Sequence, residues 1–197
     1  AVIPNRNIAI TGNRSGLVQI RSLTDGIVIH SEQASGRPVS AIAVSPDESL
    51  LVTGDWDGNV VVWNFTEEND IQKVVGNDTT HQGVITRLVF GSDNTTIASA
   101  SRDHTASIFK VGAGLEATTI VQHKAPVYGL DLSPSGTQLV TTGEDQVVAV
   151  WSTADGKLTQ KEITKFPVYS ALFTMKSNEL MIVNERQELS YNDVSLP

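Results

Sequence analysis

Apolar residues in this chain gather into runs of about six, and polar turns separate the runs. One succession begins at Val39-Ser40-Ala41-Ile42-Ala43-Val44, followed by the turn Ser45-Pro46-Asp47. Next come Leu51-Val52-Thr53-Gly54, the turn Asp55-Trp56-Asp57-Gly58, and Val60-Val61-Val62-Trp63. Runs rich in Val, Ile and Thr, bounded by Asp, Gly, Pro and Ser, read as short strands joined by tight turns. The same succession returns at Ile85 to Phe90, Ile97 to Asp103 and Ala106 to Phe109. It returns again at Val127 to Pro134, Leu139 to Asp145 and Val148 to Trp151.

The copies keep a fixed internal spacing. The turn aspartates Asp57, Asp103 and Asp145 are separated by 103 − 57 = 46 and 145 − 103 = 42 residues. Each stands six residues before an aromatic: 63 − 57, 109 − 103 and 151 − 145. His81 and His123 precede their aspartates by 22 residues, 103 − 81 and 145 − 123. A period of about 40–45 residues built from short strands marks a propeller blade.

On these residues the chain resembles the WD40-repeat family, over nearly its whole length. The resemblance implies an all-β fold of WD40-type β-propeller blades, each a four-stranded antiparallel sheet. It also implies a hydrogen-bonded tetrad of His, Ser or Thr, Asp and Trp in each blade. A buried turn carboxylate is costly unless its oxygens are paired, which is what the tetrad would supply. The fourth copy matches in full, with His123, Thr141, Asp145 and Trp151. The third has His81, Ser99 and Asp103, but Phe109 replaces the donor Trp. The second has Thr53, Asp57 and Trp63, with Ser35 where His is expected.

The flanks carry weaker copies. Ile8 to Gly16 reads as a second strand and its turn, with Leu17 to Arg21 and Ile27 to Ser31 as the third and fourth strands. Val168 to Thr174, Leu180 to Asn184 and Leu189 to Asn192 read as three strands at the other end. The expected organisation is a partial blade over 1–34, blades over 35–80, 81–122 and 123–164, and a partial blade over 165–197. Propellers have about four to eight blades, so the chain is expected to be part of a larger propeller. The missing portion would come from another segment or from an oligomer.

Composition narrows the function. Net charge is −8, with 14 basic residues and no basic run. That argues against nucleic acid, whose binding rests on neutralising phosphates. No run of about 18 apolar residues predicts a membrane span, and Ala1 to Ile10 lacks the apolar stretch of a signal peptide. The chain has no Cys, which excludes disulfides and thiolate sites. Asp55-x-Asp57-Gly58-Asn59 has a calcium-loop flavour but lacks the later Glu, so no metal or other cofactor is expected. Gly112-Ala113-Gly114 has no strand-to-helix setting for a phosphate loop. The Asn-x-Ser/Thr triplets at Asn13, Asn64, Asn77 and Asn94 read as turn composition, and His30 and His104 as solvated singles. Ser, His and Asp recur once per repeat without a strained nucleophile turn, so no catalytic residue and no enzyme activity is expected.

In the family the chain resembles, partners dock on the edge that carries the turns after the second strands. The residue before each turn Asp gives Trp56, Arg102 and Glu144. The residue just inside each first strand gives Ser40, Thr86, Tyr128 and Tyr169. Trp, Tyr and Arg carry much of the energy at interfaces, so the candidate partner-binding residues are Trp56, Arg102, Glu144, Tyr128 and Tyr169. The expected function is a protein–protein interaction scaffold whose partners are other proteins or peptides. An intracellular setting, cytoplasmic or nuclear, is expected. The alternatives are a structural subunit that completes a propeller by assembly, and an enzyme or sugar-binding propeller.

Overall fold

Five antiparallel sheets follow one another along the chain in the computed structural model, which describes residues 1–76, 81–112, 115, 117–174, 179–184 and 189–193. The first comprises β1 (Val2–Ile3), β2 (Ile8–Gly12), β3 (Leu17–Ser22) and β4 (Val28–Gln33). The second comprises β5 (Val39–Val44), β6 (Leu50–Asp55), β7 (Val60–Phe65) and β8 (Ile71–Gly76). The third comprises β9 (Ile85–Phe90), β10 (Thr96–Ser101), β11 (Thr105–Lys110) and β12 (Ala117–Gln122). The fourth comprises β13 (Val127–Leu132), β14 (Gln138–Gly143), β15 (Val147–Ser152) and β16 (Leu158–Ile163). The fifth comprises β17 (Val168–Phe173), β18 (Glu179–Asn184) and β19 (Leu189–Asp193). Within each sheet the strands pair in chain order.

The first sheet departs from the sequence pattern, which begins at a second strand near Ile8. Strand β1 pairs Val2 with Ala9 and Ile3 with Ile8. Two residues are too few to show alternation, so the strand left no signal. One 3-10 turn at Pro4–Arg6 and the left-handed Asn7 (φ 56°) fold the chain back, so residues 1–34 hold four strands rather than a partial set. Asn77 and residues 113–114 of the Gly112-Ala113-Gly114 stretch lie outside the described residues.

Successive sheets pack face to face and share their cores. Side chains alternate across a strand, so neighbouring residues of one strand serve two different interfaces. Leu51 and Trp63 join Ile8, Ile10, Val18 and Ile20 between the first and second sheets. Val52 and Val62, one residue away, join Ile85, Ile97 and Phe109 between the second and third. Ala98 and Ile108 meet Leu130 and Leu139, and Val140 and Val150 meet Val168, Ala171 and Ile182. Strands β10 and β14 are therefore buried at every position.

The first strands line up side by side, and side chains stitch them. Thr86 Oγ1 donates to the Val127 carbonyl at 2.6 Å, and Arg87 Nε to the Leu130 carbonyl at 3.1 Å. The Asp131 carboxylate accepts the Phe173 N–H at 2.9 Å. Four of these strands also share a defect. The ladder slips between Val39 and Ala41, between Val127 and Gly129 and between Val168 and Ser170. In the third sheet it slips where Ser101 pairs with Ile85 and Ala100 with Arg87. One residue is left over in each bulge: Ser40, Thr86, Tyr128 and Tyr169. A bulge turns the extra residue out of the regular pleat.

Close approach of sheets sets a size limit at the end of β6. A Cβ on Gly54 would lie 2.6 Å from Cγ2 of Ile85, the first residue of the next sheet. Gly54→Ala is expected to lower stability by about 1–3 kcal/mol through overpacking. The double variant Gly54→Ala/Ile85→Ala should lose less than the sum of the two single losses. Urea denaturation of the three variants measures this, and strict additivity would show that the contact is not limiting.

Candidate interaction surface

The described tetrad side chains form a line rather than a ring around the carboxylate. In the fourth sheet Trp151 Nε1 donates to Thr141 Oγ1 at 2.7 Å. Thr141 Oγ1 lies 2.6 Å from His123 Nε2, and His123 Nδ1 lies 3.1 Å from both Asp145 oxygens. Since Trp151 can only donate, the Thr141 proton is free to go to Nε2, which leaves the His123 proton on Nδ1 facing the carboxylate. Asp145 does not touch Thr141 or Trp151. It accepts the N–H groups of Lys124 at 3.0 Å and Val147 at 3.2 Å. An acceptor shared by His123, Thr141 and Trp151 is therefore not what the geometry contains.

The third sheet repeats the line with one member short. His81 Nε2 lies 2.6 Å from Ser99 Oγ, and His81 Nδ1 lies 3.0 Å from Asp103. Phe109 fills the Trp position with no exposure and no donor. Asp103 also accepts the Gln82 N–H at 2.8 Å and the Thr105 N–H at 2.9 Å. Burial by itself would raise both carboxyls. The Thr105 hydroxyl, which donates to Asp103 at 2.6 Å, these N–H donors and the two histidines outweigh it and hold Asp103 and Asp145 below the ordinary carboxylate value.

The second sheet differs from the sequence expectation. Trp63 Nε1 donates to Thr53 Oγ1 at 3.1 Å, but Asp57 stands outside on the surface. Its side chain is half exposed and pairs with Arg37 Nε at 2.7 Å. Ser35 does not replace His: its hydroxyl turns back on Arg37. The turn is held instead by Asp55, 3% exposed. Asp55 accepts the N–H groups of Asp57 and Asn59 and the Asn59 amide, all at 2.9 Å. Asn13 does the same in the first sheet, accepting from Ser15 and Leu17. In these two sheets the turn acceptor thus sits two residues earlier than Asp103 and Asp145 do in theirs, and in the second sheet no histidine stands 22 residues ahead of Asp57. Three of the roughly four acceptor sites of the Asp55 carboxylate are taken up in holding this turn. His30 also departs from expectation: it is partly buried, 3.1 Å from Asp70 of the neighbouring sheet.

The turns of the second, third and fourth sheets lie at one edge, beside the lead-in to the first strand. One hydrogen bond fixes each: the N–H of Trp56, Arg102 and Glu144 donates to the carbonyl of Pro38, Val84 and Pro126 at 3.0–3.1 Å. The bulged residues emerge at the same edge. Ser40 and Thr86 are short, and their hydroxyls bond backbone carbonyls. Tyr128 and Tyr169 are long and continue outward.

The aromatics and Arg102 then meet in series across four sheets. Trp56 is 53% exposed and lines a shallow cavity of about 110 Å³ with Val84 and Arg102. The Arg102 guanidinium lies 5.9 Å from the Tyr128 ring centroid. Tyr128 meets Tyr169 edge to face, centroids 5.4 Å apart, and Tyr169 is 42% exposed. Val84 is the contributor that sequence reading missed. Glu144 is exposed, and no described contact ties its carboxylate to the others. Among the described residues no group of three or more His, Cys, Asp or Glu side chains is placed to hold a metal.

The repeat spacing has a match among known families. A family model described as "WD domain, G-beta repeat" matches residues 26–64, 72–110 and 114–152. The chain belongs to the WD-repeat family. Each WD repeat is offset from the sheets by one strand: residues 26–64 run from β4 of the first sheet through β7 of the second.

WD-repeat relatives include the F-box-like/WD repeat-containing protein TBL1Y of Homo sapiens, 26% identical over 85% of this chain and 35% of its own length. The F-box-like/WD repeat-containing protein TBL1X of Mus musculus is 30% identical over 66% of this chain and 25% of its length. The COMPASS component SWD3 of Saccharomyces cerevisiae is 27% identical over 63% and 38%. The chain spans about a quarter to two fifths of the length of these relatives.

Two predictions follow from the line of hydrogen bonds. Asp145→Ala strands the His123 N–H and two backbone N–H groups and is expected to cost about 1–3 kcal/mol. Asp57→Ala removes only an exposed pair and is expected to cost under about 1 kcal/mol. Equal losses in urea would contradict the placement of Asp57. The second concerns pH. Asp103 and Asp145 bind protons less readily folded than unfolded, so their contribution is present above about pH 4 and is lost as pH falls through their lowered values. The melting temperature of Asp103→Asn/Asp145→Asn is expected to fall less between pH 5 and pH 2 than that of the parent chain; an identical slope would count against it.

Proposed function

We propose that this chain is a protein-interaction scaffold that holds other proteins or peptides on the turn edge of its blades. The observation that carries the proposal is the ladder of Trp56, Arg102, Tyr128 and Tyr169. Large aromatic side chains are normally covered, and an exposed contiguous set marks a contact surface. Trp, Tyr and Arg are also the residue types that dominate interface energies. The ladder rests on rigid supports: its backbone anchors repeat from sheet to sheet, and its bulges fix where the tyrosines emerge. Little ordering entropy would therefore be lost on binding.

The charge supports a protein rather than a nucleic-acid partner, since the chain carries −8 overall. One relative is a COMPASS component, which fits a part in a protein complex. Catalysis is not part of the proposal, because His81, Ser99, Asp103, His123 and Asp145 are each engaged in holding their own sheet together.

The test is affinity capture from cell extract with the whole chain as bait. Trp56→Ala and Tyr169→Ala are expected to lose the bound proteins, with about tenfold less recovered. Glu68→Gln, on the opposite edge, should retain them. If all four baits recover the same proteins in the same amounts, the turn edge is not the contact surface.

A further inference from the structure

Among the described residues the two edges of the blades differ in exposed, unpaired charge. On the opposite edge Asp47, Glu67 and Glu68 are exposed and form no ion pair among the described residues, while Asp93 is paired with Lys110. On the turn edge the carboxylates are withdrawn. Asp55, Asp103 and Asp145 are turned onto backbone N–H groups and histidines, and Asp57 is neutralised by Arg37. The cations on this edge are left over. Arg14, Arg102, Lys124 and Lys165 are exposed and form no ion pair among the described residues. Arg102 and Lys165 lie over aromatic rings, Tyr128 and Phe166. Glu144 is the one exposed, unpaired carboxylate described there.

Resting on the proposed use of this edge for binding, we infer that the partner segment is acidic: an extended peptide in which an aromatic or large apolar residue is flanked by carboxylates. The apolar residue would enter the recess between Trp56, Val84 and Arg102. A carboxylate beside it would take the donors of Arg102, which lines that recess and whose guanidinium lies 5.9 Å from the Tyr128 ring centroid. Arginine suits this role because its fork matches a carboxylate through two parallel hydrogen bonds. Lys124 and Lys165, in the connections ahead of β13 and β17, add two exposed cations to the same edge. A basic segment would meet the same cations without relief and would be repelled. The negative opposite edge adds to the selection, since an acidic segment is steered away from it and toward the turn edge.

A peptide array tests the inference with the whole chain as probe. Each peptide carries a central phenylalanine flanked on both sides by two glutamates, two glutamines or two lysines, with the remaining positions randomised. The glutamate series is expected to retain the chain at least about tenfold better than the glutamine series, with the lysine series weakest. Retention should fall as salt rises, since exposed charges are screened. Arg102→Glu should abolish the glutamate preference, and Arg102→Lys should keep part of it. Circular dichroism of both variants checks that the fold is intact.

Equal retention of glutamate and glutamine peptides, or a preference for lysine, overturns the inference, as does binding to none of the series. If Trp56→Ala still loses its partners in the capture experiment while the array shows no acidic preference, the binding edge stands and only the partner chemistry is wrong. A dimer of the parent chain that Arg102→Glu dissociates would make the occupant the acidic edge of a second copy, and would likewise overturn the acidic-peptide assignment.

Discussion

Strands β10 and β14 have no face toward water, and β6 is buried over five of its six residues. A strand covered on both sides cannot be stable in a lone sheet, because each face needs an apolar layer from a neighbour. That requirement organises the whole chain. It explains why Leu51 and Val52 serve different cores, why Gly54 has no room for a side chain, and why the second and third strands are almost wholly apolar or small. It also explains the hydrogen-bonded lines. A polar atom such as Thr141 Oγ1, with no exposure at the residue level, must find its partners inside the sheet, and Trp151 and His123 supply them.

The offset between repeat and sheet follows from the same requirement. Each matched repeat delivers an outer strand to one sheet and three strands to the next. Neighbouring sheets are therefore joined covalently as well as by their cores. The polar edge turns then have a separate task, which is to close each strand pair without adding bulk between sheets. Asp or Asn does this by bonding the backbone of the turn, either from the strand end or from two residues later.

Most of the strand pattern was legible in the sequence because Val, Ile and Leu recur with turn residues at a fixed period. Spacing gave the repeat period and the constant His-to-Asp distance, and the resemblance these carry implied the WD-repeat fold and the His–Asp pairs. Asp57 was misplaced because its distance to Trp63 equals that of Asp103 to Phe109 and of Asp145 to Trp151, and distance along the chain does not say which of two nearby acids faces inward. The sequence did hold a clue. Ser35 cannot supply the imidazole that a buried Asp57 would require, while Asp55 sits at the strand end where Asn13 sits in the first sheet. Strand β1 was invisible because two residues carry no periodicity. The bulges were invisible for a different reason: a residue left out of a ladder changes hydrogen bonding but not the apolar pattern. The turn-edge candidates came from position within the repeat; their assembly into one ladder depended on distances between sheets, which no spacing along one strand encodes.

The bulges give this edge freedom to vary. Residues 40, 86, 128 and 169 stand at one position of the repeat, yet they are Ser, Thr, Tyr and Tyr. Because each sits in the slip of the ladder, its backbone is freed from regular pairing, and its side chain is released from the alternation that ties its neighbours to a core. A substitution at 40, 128 or 169 changes what the surface offers while leaving the apolar cores between sheets in place, whereas one at 86 also removes the hydrogen bond from Thr86 to the next sheet. Such a position can be rewritten one residue at a time, so chains with the same scaffold can diverge in what they recognise without first having to rebuild how they fold.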